Sequence, residues 1–344
     1  MTKQTLRNFA LELSLSALAL IPSTSLAQAQ LASRLPAKRL ASAATQAASH
    51  QTTHLAKATG SPSSSLSLSS SLSYTYTLLS FPGSLDTSAE GINLGATTPK
   101  MEIVGAANEG GFLAKVSEKK TVTETYEAVN YPHSSGSQTV AAVNDSGEMV
   151  GDYADYDLGY ERSGAKFTKI AVPFPGALGT FPYGINNSGE VVGGWWDSNK
   201  DEHGFTLIAG AYTSFDYPGG SETAGFGINS AGDIVGGYND ASGVPHGFLL
   251  SGGTYTSFNF PGAGETDPYG INDAGDIVGL YCTTAECPSG LEGGQGFLLS
   301  QGVFTTIGMP GEVLTYAAGI NNNGVVVGVY QDAAGLTVSF LATP

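Results

Sequence analysis

The chain has 344 residues, 30 Asp+Glu against 14 Lys+Arg, and a formal net charge of −16. Six of the bases and one acid fall in residues 1–73, which leaves 8 bases, 29 acids and a charge of −21 in residues 74–344, with no Lys or Arg after Lys200. Nucleic-acid and anionic-membrane binders need clustered cations, and a coiled coil does not carry 47 glycines, so these classes are excluded.

Residues 1–29 read as a secretory signal peptide. Lys3 and Arg7 precede a short apolar run over residues 10–21, and Ser25-Leu26-Ala27 or Ala27-Gln28-Ala29 supplies the small-x-small cleavage pattern. The run is shorter than the ~20 apolar residues that span a bilayer, and no later stretch reaches that length. Residues 30–73 are rich in Ala, Ser, Thr and Gln, carry four bases and lack aromatics, so they read as a flexible spacer or a cleaved propeptide. The two cysteines, Cys282 and Cys287, close a small disulfide loop if the chain is exported; two thiolates without a nearby His fall short of a zinc set. These features predict a protein outside the cytoplasm, secreted or in a cell envelope.

After Tyr74 the chain repeats. Asn93, Asn144, Asn186, Asn229, Asn272 and Asn321 mark equivalent points at spacings of 51, 42, 43, 43 and 49. Short runs of Val, Ile, Tyr, Phe and Thr separated by Gly, Asn and Asp give four strands per unit, a to d, and no 3.6-residue period suggests a helix. Five copies carry Asn-x-x-Gly, the chemistry of a tight a–b hairpin: Asn caps the turn and Gly closes it at positive φ. Phe112, Tyr160, Phe205, Phe248, Phe297 and Phe340 place an aromatic in every c strand. Pro82, Pro132, Pro175, Pro218, Pro261 and Pro310 are expected to end the d strands, where a missing N–H suits an edge.

The unit count decides the architecture. The first strand, over residues 74–81, is of d type, and the chain ends just after the sixth c strand near Phe340. A closed ring explains both ends. Residues 74–344 are therefore expected to form an all-β, six-bladed β-propeller of four-stranded antiparallel blades, the last blade closed by the N-terminal strand. A linear solenoid would leave strand edges uncovered.

Gly-Ile-Asn-x-x-Gly-(Asp/Glu)-x-Val-Gly, followed by His203-Gly-Phe205 or His246-Gly-Phe248, resembles the HAF repeats of bacterial extracellular proteins. Gly stands where that family has Ala, and two of the six copies keep the His. The resemblance implies a secreted bacterial protein. It brings no catalytic residues to carry over.

No Gly-x-Ser-x-Gly, His-Glu-x-x-His or Gly-x-x-x-x-Gly-Lys motif is present. A sialidase-like site needs an arginine cluster, and residues 74–344 hold one arginine, Arg162. Asp197, Asn199 and Asp201 place oxygens at alternate positions, as calcium loops do, and Asp152, Asp155 and Asp157 form a similar cluster; a solvated acidic hairpin is the competing reading. Tyr153, Trp195, Tyr238, Tyr281 and Tyr330 share one b-strand place and read as packing between blades. Trp195 and Trp196 are adjacent and face opposite ways, so one of them is the candidate ligand contact. The leading function is an extracellular binding or interaction module for a carbohydrate or an envelope partner. A calcium-dependent hydrolase or lyase in the central funnel and a structural surface-matrix protein are the alternatives.

Overall fold

The computed structural model describes residues 67–68 and 74–344, except residue 85 and residues 94–99, 108–109, 118–121, 135–136, 154–157, 284–292, 309–311 and 333–336. The expected signal peptide, most of the spacer, Asp155, Asp157, Cys287 and Pro310 lie outside the described residues. Strands supply all the regular structure among the described residues. No helix there is long and apolar enough to cross a membrane.

Six antiparallel four-stranded units follow one another as blades. Blade 3 shows the pattern, with strands a to d at Gly179–Ile185, Val191–Trp196, Glu202–Ile208 and Ala211–Phe215. Blades 1, 2, 4 and 5 begin with a strands at Thr87–Ile92, Thr139–Val143, Ser221–Ile228 and Glu265–Ile271. Blade 6 takes its a, b and c strands from Glu312–Ile320, Val326–Asp332 and Thr337–Thr343. Its d strand is Thr75–Leu79, which pairs antiparallel with the c strand from Thr75↔Thr343 to Leu79↔Ser339. The propeller is thus closed by its N-terminal strand. Ser67–Leu68, the described part of the spacer, adds a short parallel strand to the outer edge of blade 5 against Val303 and Phe304.

The repeated residues fit together within each blade. The c-strand aromatics Phe205, Phe248, Phe297 and Phe340 are fully buried. Each faces the Gly of the b-strand Val-Gly pair, and an ideal Cβ on Gly236 would sit 2.7 Å from the Phe248 ring and 2.0 Å from the Ala224 carbonyl. Real Cβ atoms do not approach a carbonyl that closely, so glycine is required there by space. Gly236→Ala is expected to cost at least ~3 kcal/mol, since both neighbours are packed core, and a urea melt would show it. An unchanged midpoint would refute this packing account.

The prolines act differently from expectation. The d strands of blades 4 and 6 end at Phe258 and Leu79, so Pro261 and Pro82 lie beyond them rather than on an edge. Ser84 N–H donates to Phe81 O, and the Pro82-Gly83 pair between them has Gly83 at φ 81°. That is type II turn chemistry, with Pro presetting φ at the second position. In blade 1, Tyr131-Pro132 is followed by His133 at φ 61°. The aromatic before Pro82, Pro218 and Pro261 then anchors the next blade. Phe81, Tyr217 and Phe260 donate their N–H to Thr87, Thr223 and Thr266 Oγ1 at 3.0–3.1 Å.

Candidate functional site

A propeller offers a ligand its axis and its two faces, so the residues around the axis come first. Every a strand breaks register at one shared position, between Ala89/Gly91, Val140/Ala142, Pro182/Gly184, Gly225/Gly227, Pro268/Gly270 and Ala317/Gly319, and those of blades 4 and 6 have a second break nearer their start. A β-bulge re-aims the extra residue. The six bulged residues are Glu90, Ala141, Tyr183, Phe226, Tyr269 and Ala318, and with the two residues after each they line a cavity of about 80 Å³ on the axis. They do not obey the repeat: an acid, two alanines and three aromatics occupy one structural position. The rings form an arc, Tyr183 to Phe226 at 5.3 Å, Phe226 to Tyr269 at 5.7 Å and Tyr269 to Tyr316 at 6.0 Å. Tyr316 closes it: its hydroxyl lies 2.9 Å from Ser88 Oγ and donates to Glu90 Oε1 at 3.4 Å, and Ser88 Oγ also donates to Glu90.

The mouth on the a–b hairpin side is built from the repeat. Each ring asparagine donates its Nδ2 to the backbone carbonyl of the next: Asn93 to Asn144, onward through Asn186, Asn229, Asn272 and Asn321, and back to Asn93. The Oδ1 of Asn186 accepts from Ser188 and Glu190 N–H, and its Nδ2 also donates to Glu190 Oε2 at 2.7 Å. All four hydrogen-bonding capacities of that amide are engaged. Further out, Asp273 accepts from Ser230 N–H and from Asn322 Nδ2, stapling hairpins 43 and 49 residues apart in sequence. Burial pushes the Asp273 carboxyl up, but the bonds from Ser230 and Asn322 outweigh it and hold it below 3.8.

The b-strand aromatics pack between blades. Tyr238 stacks on Tyr217 at 3.5 Å, Tyr281 on Phe260 at 3.5 Å and Tyr153 on Tyr131 at 3.9 Å. Trp195 joins them: it is buried, lies 4.9 Å from Phe174 and 4.8 Å from His203, and donates its indole N–H to Ser214 Oγ. Trp196 faces the other way, half-buried, 4.7 Å from Phe181. Its indole nitrogen has no acceptor among the described residues. Beside it, Leu178 donates its N–H to Trp196 O at 2.8 Å and leaves its side chain 54% exposed, one of the three largest exposed apolar residues described. The Trp pair thus divides into one fully packed ring and one half-buried ring whose indole nitrogen is buried against the axial aromatic cluster.

The Asp197 loop is a turn. Asp197 Oδ1 accepts from Asn199 N–H at 2.7 Å and from Asp201 N–H at 3.0 Å, and Asn199 Nδ2 donates to Oδ2. Asp240 repeats the arrangement with Ser242 and Val244. No group of three His, Cys, Asp or Glu able to hold a metal ion occurs among the described residues. His203 Nδ1 lies 2.8 Å from Asp216 Oδ1, and His246 joins Asp240 to Asn259, so both histidines tie a b–c turn or c strand to the d-strand end. Cys282 is buried; its expected partner, Cys287, is not among the described residues.

Burial pushes the Tyr153 hydroxyl up to about 12, with the stacked Tyr131 adding to the shift. Burial also takes Tyr238 to about 12, with Tyr217 reinforcing it against the Ser257 hydrogen bond. A folded pKa above the unfolded value near 10 means stability that is complete below pH ~10 and lost as pH rises towards 12. The melting temperature is expected to hold through neutral pH and fall above pH ~10, with part of the tyrosinate absorbance, that of the buried stacks, appearing only as the fold is lost. Tyrosinate absorbance at full amplitude in the folded protein near pH 10 would contradict these stacks.

No family model matches the chain, and no curated protein matches it. Solved structures match at the level of fold. Virginiamycin B lyase from Staphylococcus aureus aligns with a TM-score of 0.47 at 11% identity, covering 79% of this chain and all of that one. The β-propeller domain of the Trilobed protease from Pyrococcus furiosus aligns at 0.43 and 9%, covering 75% and 94%. Trypanosoma rangeli sialidase aligns at 0.48 and 8%, covering 81% of this chain and 60% of its own. The class defined here is a six-bladed β-propeller, and identities this low carry no activity with them.

Proposed function

We propose that this protein is an extracellular binding module, exported from a bacterium behind its signal peptide, that engages a carbohydrate or an envelope partner through the face carrying Trp196. One observation carries the reading. The repeat buries its aromatics between blades, yet blade 3 adds a second tryptophan that stays half-buried beside exposed Leu178. A flat ring partly open to solvent next to an aliphatic side chain suits stacking on a sugar. The resemblance to HAF repeats supports export, and a Cys282–Cys287 disulfide belongs to the same reading.

Catalysis in the funnel has its own supporting observation, the off-repeat acids Glu90 and Asp267 buried near the axis. The binding reading is favoured by space: the axial cavity holds about 80 Å³, whereas small-molecule substrate sites run to roughly 300–1,000 Å³. Calcium at Asp197, Asn199 and Asp201 would share Asp197 with the N–H donors that its Oδ1 already accepts. Screening the full-length protein against glycans and envelope fractions, with Trp196→Ala alongside, tests the proposal. Binding that falls at least tenfold in the variant supports it; no binding to any glycan or fraction overturns it.

A further inference from the structure

The axial cavity is a second place where chemistry departs from the repeat, and Trp196 packs through Phe181 on the aromatic cluster that lines it. Glu90 presents a carboxylate at the cavity wall, and Tyr183, Phe226 and Tyr269 hold the same structural position in blades 3 to 5. Ala141 and Ala318 flank Glu90 on either side in the ring and leave room before it. A buried carboxylate facing aromatic rings is the chemistry of a cation site, because the carboxylate and the ring faces both attract positive charge. The approach is chemically graded. At the a–b mouth the rim carries Asp145 and Asp273; the cavity there shares a collar of five isoleucines and Val143 with the axial cavity. Between collar and bulges the blades nearly touch: a Cβ on Gly227 would lie 2.9 Å from Tyr269 O and 3.2 Å from Gly270 Cα. Five of the six positions in this waist are glycine, which keeps it open but narrow.

We infer that the channel binds an unbranched aliphatic ammonium ion, its methylenes in the isoleucine collar and waist and its ammonium on Glu90 against the aromatic arc. The acidic rim and a domain charge of −21 favour entry of a cation over an anion. A branched quaternary ammonium is too wide for the glycine waist, and a neutral alcohol of the same length lacks the charge.

Calorimetric titration of the full-length protein with n-butylammonium chloride, n-butanol and tetramethylammonium chloride at constant ionic strength tests this. Saturable binding of n-butylammonium is expected, with the alcohol and the tetramethyl cation at least tenfold weaker and Glu90→Gln reducing n-butylammonium affinity at least tenfold. Glu90 accepts from Ser88 and Tyr316, so the variant's fold is checked by circular dichroism; should it not fold, the selectivity of the unaltered protein decides. Absence of saturable binding, equal binding of the three probes, or a folded Glu90→Gln variant with unchanged affinity overturns the inference, whatever the outcome at Trp196.

Discussion

Deleting residues 1–80 is expected to abolish cooperative folding, whereas a chain that begins at Tyr74 melts within a few degrees of the full-length protein. The strand Thr75–Leu79 is the outer strand of blade 6, paired along its whole length with Thr337–Thr343. Leu79 is buried, Tyr76 meets Phe340 edge-on at 5.6 Å, and Tyr74 is buried enough that its hydroxyl is pushed up to about 12. Beyond the strand, Phe81 donates to Thr87 and so fastens blade 6 to blade 1. Removing residues 1–80 leaves Phe81 without the strand that leads into it, strips five ladder positions and the cover over a core phenylalanine, and turns the last c strand into a bare edge. At ~0.5–1.5 kcal/mol per hydrogen bond and ~1.5–3 kcal/mol per buried side chain, the loss exceeds ~5 kcal/mol. That is comparable to the whole stability of an ordinary domain. Thermal melts followed by circular dichroism would show it. A cooperative melt in the shorter chain would mean that the ring does not depend on its closing strand.

The second large effect is expected at the asparagine ring. Asn186→Ala removes two acceptors that satisfy the Ser188 and Glu190 N–H groups, and two donors that hold Glu190 and the Asn229 carbonyl. Leaving a buried group unsatisfied costs ~1–3 kcal/mol, and here the Asn229 carbonyl is buried while the other three bonds are part-buried, so the substitution should destabilise the protein by ~2–3 kcal/mol in a urea titration. Asn186→Asp separates the two halves of the role. It keeps the acceptors and loses the donors, while setting a second charge beside Glu190, so it should also destabilise. A change within ~0.5 kcal/mol for the alanine variant would show that water replaces the ring without penalty.

Much of this ring was legible in the sequence because local chemistry and global closure agree. Asn-x-x-Gly predicts a capped hairpin, and the structure has it, with Gly147, Gly189, Gly232, Gly275 and Gly324 all at positive φ. What the spacing does not reveal is that the same amide also reaches the next blade; one side chain serves the turn through Oδ1 and the ring through Nδ2. Closure by an N-terminal d strand follows from counting strand types at the two ends. The proline role was misread because a missing N–H fits an edge strand and a type II turn equally well from sequence. Only the observed hydrogen bond across the turn separates them.

The site was less legible for a physical reason. The bulge that points Glu90, Tyr183, Phe226 and Tyr269 at the axis lies within the otherwise regular a strand, and alternation alone places those residues on a blade face. In the sequence they are visible only as the variable residue before the repeated Gly-Ile-Asn. Trp195 and Trp196 were separable in principle, since neighbours in a strand face opposite sides. Which of them faces outward depends on the Phe174 and His203 rings that cover Trp195.

The central claim is that repeated residues build the ring and the residues that depart from the repeat do its binding. The most direct measurement compares Trp195→Ala and Trp196→Ala in the full-length protein, each read by melting temperature and by binding to the glycan or envelope fraction that the unaltered protein retains. Trp195→Ala should lower stability by ~3–5 kcal/mol, the usual cost of emptying a buried tryptophan site, and leave affinity unchanged below its melt. Trp196→Ala, which empties only a half-buried site, should cost clearly less stability than Trp195→Ala and reduce affinity at least tenfold. The reverse assignment, or binding indifferent to both, would contradict the account.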